Sequence, residues 1–162
     1  MQKFISTSLS DTNSIASQLA MQAKAGDVFL LKGNLGAGKT AFASGFINAL
    51  LEKPQNITSP TFNIVQIYKS SQFPVVGSQQ NTQNLELTTK NFPEIWHFDL
   101  YRLKSPDELY ELGIEEALEK AICLIEWPEI AEDFFRNIKT TLIEIEKQGQ
   151  GDDRVIRVGV LQ

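Results

Sequence analysis

The segment Gly33-Asn34-Leu35-Gly36-Ala37-Gly38-Lys39-Thr40 fits the pattern G-x-x-x-x-G-K-[ST], and it constrains this chain more than any other stretch. The apolar run at residues 28–31 ahead of it reads as a buried strand, and residues 41–51 behind it read as a helix. Strand, glycine-rich bend and helix in that order are the setting a phosphate-binding loop needs. Glycines at 33, 36 and 38 let the backbone reach positive φ and approach a ligand closely. Backbone N–H groups along such a bend converge on phosphate oxygens at the positive end of the helix that follows. Lys39 brings a point charge to the β- and γ-phosphates, and the Thr40 hydroxyl is suited to ligating Mg²⁺. Gly33, Asn34, Leu35, Gly36, Ala37, Gly38, Lys39 and Thr40 are therefore the expected nucleotide-binding residues, with Lys39 also catalytic and Thr40 also a metal ligand.

A length of 162 residues suits one domain covering residues 1–162. Hydrophobic residues make up 42% and charged residues 22%, enough for one core and ordinary for a globular protein. No apolar run has the length of a membrane span, and the first residues lack the apolar stretch of a signal peptide. The one cysteine, Cys123, lies in an apolar run and reads as a small buried residue. A cytoplasmic protein is the expectation. A net charge of −5 suits poorly a protein that holds nucleic acid by itself, since phosphate neutralisation supplies much of that affinity. In an RNA pathway a partner is expected to hold the RNA.

The pattern along the chain predicts a first strand at residues 4–9. A helix capped by Ser10 or Asp11 then runs to about Lys24, with Ile15 and Leu19 on its inner face. Residues 56–61 read as a loop around Pro60, and 62–68 as a strand. Residues 70–93 are rich in Ser, Gln, Asn and Thr, and read as an exposed polar insertion or long hairpin tip with a short extended stretch at 85–87. Residues 95–101 alternate, with Trp96, Phe98 and Leu100 facing one way and His97, Asp99 and Tyr101 the other. Ser105-Pro106-Asp107-Glu108 is a capping box that opens a helix which Gly113 closes. A short helix at 114–120, a buried strand at 121–125 and a short helix at 129–135 follow. Residues 141–146 and 154–161 alternate around a Gly- and Asp-rich turn and predict a terminal hairpin. The expected fold class is α/β: a P-loop NTPase-like sandwich with a mixed parallel and antiparallel central sheet and flanking helices.

Hydrolysis needs a carboxylate near Mg²⁺ and a group that orients water. Such carboxylates sit at the C-terminal ends of sheet strands, where the ligand crevice opens. Glu126, just after the 121–125 strand, and Asp99, near the end of the 95–101 strand, are the two candidates. The alternatives are a strand-end cap for Glu126 and an ion pair with Arg102 for Asp99. Thr61 takes the part of a switch threonine if its loop folds inward, its hydroxyl reaching Mg²⁺ or the γ-phosphate; otherwise it belongs to an ordinary Ser-Pro-Thr turn. His97, the only histidine, reads as a hydrogen-bonded structural group. Trp127 either stacks on a base or packs under the sheet.

Five blocks, taken in order, resemble the TsaE family: Gly33–Thr40, Ser59-Pro60-Thr61-Phe62, His97-Phe98-Asp99-Leu100-Tyr101-Arg102-Leu103, Glu111-Leu112-Gly113-Ile114 and Cys123-Leu124-Ile125-Glu126-Trp127. The resemblance spans roughly residues 10–130. It implies a small bacterial ATPase needed for threonylcarbamoyladenosine formation in tRNA. It implies ATP rather than GTP, in accord with the lack of an Asn-Lys-x-Asp segment for reading guanine. It implies Mg²⁺ held by Thr40 and Glu126, Asp99 important for hydrolysis, and Asp11 or Thr12 near the base. It also implies action with TsaD and TsaB, the subunits that carry out carbamoyl transfer on tRNA, with ATP hydrolysis resetting that assembly. The 70–93 insertion is longer than the family's usual connection between its two strands. Two other functions share the phosphate loop: a small-molecule kinase, and a nucleotide-gated binding module without useful turnover. A kinase needs an arginine-bearing lid, and the four arginines (Arg102, Arg136, Arg154 and Arg157) form no lid-like cluster in the sequence.

Overall fold

The computed structural model describes residues 1–71, 92–149 and 151–161. The 85–87 stretch and nearly all of the 70–93 insertion lie outside the described residues. Seven strands form one sheet: β1 (Gln2–Ser6), β2 (Val28–Lys32), β3 (Val65–Lys69), β4 (Glu94–Asp99), β5 (Ile122–Glu126), β6 (Thr140–Lys147) and β7 (Arg154–Leu161), in the spatial order β1-β7-β6-β2-β5-β4-β3. β6, β2, β5 and β4 run parallel, while β1, β7 and β3 are antiparallel to their neighbours. This is the mixed sheet that the sequence predicts, and the terminal hairpin is β6–β7.

β2 and β5 read as continuous apolar runs because both of their faces are covered. Helices α1 (Leu9–Ala20) and α2 (Lys39–Leu50) cover one face, where Phe42, Phe46, Ile47 and Leu50 meet Phe29, Leu31, Ile122 and Leu124. The Phe29 and Phe46 rings stand 4.8 Å apart. Each fully buried side chain of this size contributes about 1.5–3 kcal/mol of apolar transfer. Helices α3 (Glu108–Glu111), α4 (Ile114–Lys120) and α5 (Glu132–Phe135) cover the other face, on Val28, Leu30, Trp96, Phe98 and Ile125. Cys123 is fully buried in this second layer, and burial pushes its thiol up to about 12. Thiol-reactive reagents are therefore expected to modify the native chain only through opening; a labelling rate unchanged by stabilising or destabilising conditions contradicts that burial. Among the described residues no helix is long and apolar enough to cross a membrane.

Several boundaries differ from the sequence expectation, each for a local reason. The first strand ends at Ser6 because Ser8, not Ser10 or Asp11, caps α1, its side chain accepting from Asp11 N at 3.1 Å. α1 stops at Ala20, short of Lys24, where the Ala23 N–H turns back to the Ala20 carbonyl at 3.1 Å. β3 starts at Val65 rather than Phe62, since Ile64 N bonds Pro60 O at 2.5 Å and Ile64 sits at φ 63°. β4 ends at Asp99, whose carboxylate accepts from Tyr101 N at 3.1 Å and bends residues 100–102 into a 3₁₀ turn. Glu108 accepts from the Lys104 and Ser105 N–H groups, both at 3.0 Å, which is the Glu half of the expected capping box. Ser105 Oγ accepts from Asp107 N at 3.2 Å, and α3 starts only at Glu108, with Asp107 as an N-cap that makes no side-chain bond.

Candidate nucleotide site

β2 delivers the chain to residues 33–38 at the C-terminal edge of the parallel strands, and α2 begins at Lys39. The backbone there needs its glycines. A Cβ at Gly33 would meet the Ile145 carbonyl oxygen at 2.4 Å, and Gly38 holds φ +110°. On neighbouring strands, Asp99 of β4 and Glu126 of β5 are direct register partners, and Leu31 of β2 pairs with Glu126. In parallel strands register partners project to the same face. His97, two residues before Asp99, projects with it, toward the layer that holds α2. Strand parity and register thus bring together groups that are far apart in sequence.

The result is a cavity of about 380 Å³ lined by Leu35, Gly36, Gly38, Lys39, Thr40, Ser59, Thr61, Asp99, Tyr101, Glu126 and Trp127, among others. Thr40 Oγ1 donates to Glu126 Oε2 at 3.1 Å, and His97 Nε2 meets Glu126 Oε1 at 2.9 Å. His97 is fully buried, and its Nδ1 has no hydrogen-bond partner among the described residues. Since a carboxylate only accepts, Nε2 is the donor in this bond. His97 is thus the hydrogen-bonded group expected from the sequence, and its partner is Glu126. Asp99 Oδ2 accepts from Thr61 Oγ1 at 2.5 Å and from Ser59 Oγ. The Ser59–Thr61 loop is therefore folded inward, its hydroxyls on Asp99 rather than on the Thr40–Glu126 pair. Arg102 lies over the Phe62 ring at 4.3 Å, and Asp99 has these hydroxyls in place of an arginine.

Lys39 is 4% exposed and turns back onto its own loop, donating to Gly33 O at 2.7 Å and Asn34 O at 3.1 Å. Its ammonium also sits 3.6 Å from the centre of the Trp127 ring. Burial lowers the Lys39 pKa from the ordinary 10.5, with Glu126, Glu129 and Asp99 opposing the shift. Trp127 reaches this position because its backbone adopts φ 59°, ψ 47°. A bulky residue in that left-handed region is strained. The reversal directly after Glu126 carries the indole over Lys39 and against Tyr101, ring centres 5.0 Å apart. Trp127 packs against the second core layer, as the packing alternative expected, and also forms one wall of the cavity.

Asn34 and Ala37 contribute through the backbone: the Asn34 carbonyl accepts from Lys39, and the Ala37 carbonyl accepts from Arg154 Nε at 2.8 Å. Asp11 is not among the residues that line the cavity. In the first turn of α1 its carboxylate accepts from the Thr7 N–H at 2.9 Å and the Thr7 hydroxyl at 2.8 Å. Those hydrogen bonds hold its pKa below the usual 3.8. Thr12 is buried, with its hydroxyl 2.7 Å from that of Ser6. No sequence motif marks the Ser59 side chain or Arg154 as part of the site. Ser59 stood inside a loop already singled out, whereas Arg154 acts across 117 positions with no local signal.

A family model described as "Threonylcarbamoyl adenosine biosynthesis protein TsaE" matches residues 6–156. The chain belongs to the TsaE family. Its relatives in that family include proteins named "tRNA threonylcarbamoyladenosine biosynthesis protein TsaE". The one from Rickettsia bellii is 38% identical over 144 residues, covering 89% of this chain and 84% of its own. The one from Bacillus subtilis is 32% identical over 144 residues, covering 88% and 75%. The TsaE of Rickettsia felis is 45% identical over 120 residues, and the match spans 74% of this chain and 58% of that protein's length. The crystal structure of Bacillus subtilis YdiB superposes with a TM-score of 0.65 at 28% identity, covering 98% of this chain and 84% of that one. The fold is thus the P-loop NTPase-like α/β sandwich of that neighbour.

Proposed function

We propose that this chain is a Mg²⁺-dependent ATPase of threonylcarbamoyladenosine biosynthesis, acting with the TsaD and TsaB subunits and hydrolysing ATP to reset their assembly on tRNA. The observation that carries the reading is the hydrogen-bonded line from Thr40 through Glu126 to His97, set beside a buried Lys39 at the phosphate loop. The donor set suits the cation: Thr40 and Glu126 offer a hydroxyl and a carboxylate oxygen 3.1 Å apart. Among the described residues no group of three or more His, Cys, Asp or Glu is arranged to hold a metal. Two protein oxygens with the remainder from phosphate and water is the usual arrangement for Mg²⁺. Bound there, Mg²⁺ supplies charge neutralisation on the β- and γ-phosphates.

The chain's own groups then have distinct parts. Lys39 exchanges two loop carbonyls for phosphate oxygens, a stronger partner for a desolvated ammonium. Trp127 walls the site from solvent. His97 keeps the Glu126 carboxylate turned toward Thr40. The family resemblance implies the base near the start of α1, by Asp11 or Thr12. Asp99 and Thr61 form the hydrolytic side. With Thr61 and Ser59 both held on Asp99, the isolated chain has its switch residue engaged elsewhere. Turnover is therefore expected to be slow until a partner moves that loop. With a net charge of −5 the tRNA is held by the partners, which is the expected division of labour in the cytoplasm.

The kinase alternative gains nothing from the arginines. Arg102 stacks on Phe62, Arg136 pairs with Asp133, Arg157 pairs with Glu146, and Arg154 lies beneath the loop. Two experiments test the proposal. A pull-down with ATP and Mg²⁺ from bacterial extract is expected to recover TsaD and TsaB, and adding both is expected to raise ATP turnover. Recovery of neither, with phosphorylation of a nucleoside or sugar, contradicts it.

A further inference from the structure

We propose that Arg154, on the terminal hairpin, is a positioning residue for the phosphate loop: it holds the Ala37–Gly38 peptide so that the Gly38 N–H faces a bound phosphate. The inference deepens the ATPase reading and rests on it. Arg154 opens β7, paired in register with Ser6 of β1 and Lys147 of β6. Its side chain is 17% exposed and runs back beneath the phosphate loop. There Nε donates to the Ala37 carbonyl at 2.8 Å. The far end of the guanidinium is tethered to its own turn, Nη1 donating to the Asp152 carbonyl and Nη2 lying 4.0 Å from Asp152 Oδ1. Arg154 is thus fixed at both ends, and the planar fork leaves little freedom between them.

Geometry links this contact to the ligand side. No cis peptide bond is present among the described residues. Across a planar trans peptide the carbonyl and the following N–H point in opposite directions. A carbonyl of Ala37 turned down onto Arg154 therefore turns the Gly38 N–H up, away from the guanidinium. The hydrogen bond from a cation also polarises that peptide and strengthens the N–H as a donor. Packing adds a third observation. A Cβ on Gly38 would come within 2.9 Å of Arg154 Nε and 3.4 Å of its Cδ. The φ of +110° at Gly38 strains any side chain there, and one would also have to push the guanidinium aside. The hairpin, outside the five sequence blocks, in this way contributes directly to the shape of the anion site.

The test is calorimetric titration of ADP with Mg²⁺ into the full-length chain and three variants, with thermal melting and the ¹⁵N shift of the Gly38 amide recorded for each. Arg154→Met is expected to weaken ADP about fivefold to tenfold, the scale of one ordinary hydrogen bond since Arg154 acts through the peptide, and to shift the Gly38 amide. Arg154→Lys keeps the charge but not the Nε geometry, and is expected to remain at least about threefold weaker than the native chain. Arg136→Gln, just beyond α5 and away from the phosphate loop, breaks an exposed pair with Asp133 and is expected to change neither affinity nor the amide shift. Should Arg154→Met fail to fold, Arg154→Lys carries the test. Native affinity and an unmoved Gly38 amide in the Lys variant overturn the proposal. Absence of ADP binding by the native chain overturns the nucleotide-site reading instead, so the two failures are distinguishable.

Discussion

On the proposed reading, Lys39→Ala is expected to weaken nucleotide binding roughly ten- to a hundredfold, the scale of the charge-assisted hydrogen bonds that its ammonium would make to phosphate. Hydrolysis is expected to fall further, because on that reading the charge would also meet the charge developing on the transferred phosphoryl group. The variant should fold. The ammonium is desolvated in the native chain, and its removal lifts that penalty while freeing two loop carbonyls. The pH dependence carries the same signature. Burial lowers the Lys39 pKa below 10.5, so nucleotide affinity of the native chain should decline on the alkaline side before an ordinary lysine titrates. Lys39→Ala should lack that decline. For stability the sign is opposite: between the lowered value and 10.5 the unfolded chain binds more protons at this residue than the native chain. This residue's contribution to stability therefore rises with pH in that window. Isothermal titration across pH on both proteins measures the affinity arm; equal affinity in the two would contradict a phosphate role for Lys39.

Glu126→Gln is expected to reduce ATP hydrolysis by at least about a hundredfold, with the folded state close to native. Gln preserves the shape and offers an amide oxygen to His97 and an amide group to Thr40. The substitution therefore removes charge without leaving the buried neighbours unpaired. Glu126→Ala goes further and strands the His97 N–H, which costs roughly 1–3 kcal/mol of stability. The decisive readout is Mg²⁺ dependence: native nucleotide affinity should rise with Mg²⁺, and that rise should be lost in the Gln variant. Hydrolysis lost with partner function retained would favour pure nucleotide gating, and loss of both favours an enzyme. Hydrolysis at the native rate would remove Glu126 from the metal site.

These expectations show which parts of the site a sequence can carry. The phosphate loop was legible because its chemistry is local: glycines, a lysine and a threonine in eight consecutive positions, between an apolar strand and a helix. Asp99 and Glu126 were legible as strand ends, because alternation and apolar runs mark where parallel strands stop. Their adjacency was not, since register between β4 and β5 is a property of the sheet. The bond from His97 to Glu126 and the reach of Arg154 to Ala37 join segments with no common pattern. Local side-chain chemistry also moved boundaries: Ser8 outcompeted Ser10 and Asp11 as the α1 cap, and Asp11 turned its carboxylate to Thr7. Trp127 was undecidable in sequence because its position depends on a left-handed backbone turn that a bulky side chain disfavours.

The central claim is that the bend from Gly33 to Thr40 grips a triphosphate, and titration of ATP with Mg²⁺ into the purified chain in a calorimeter measures it most directly. One-to-one binding that depends on Lys39 is the predicted result. No heat of binding, together with unperturbed amide signals of Gly36, Gly38 and Thr40, would contradict it.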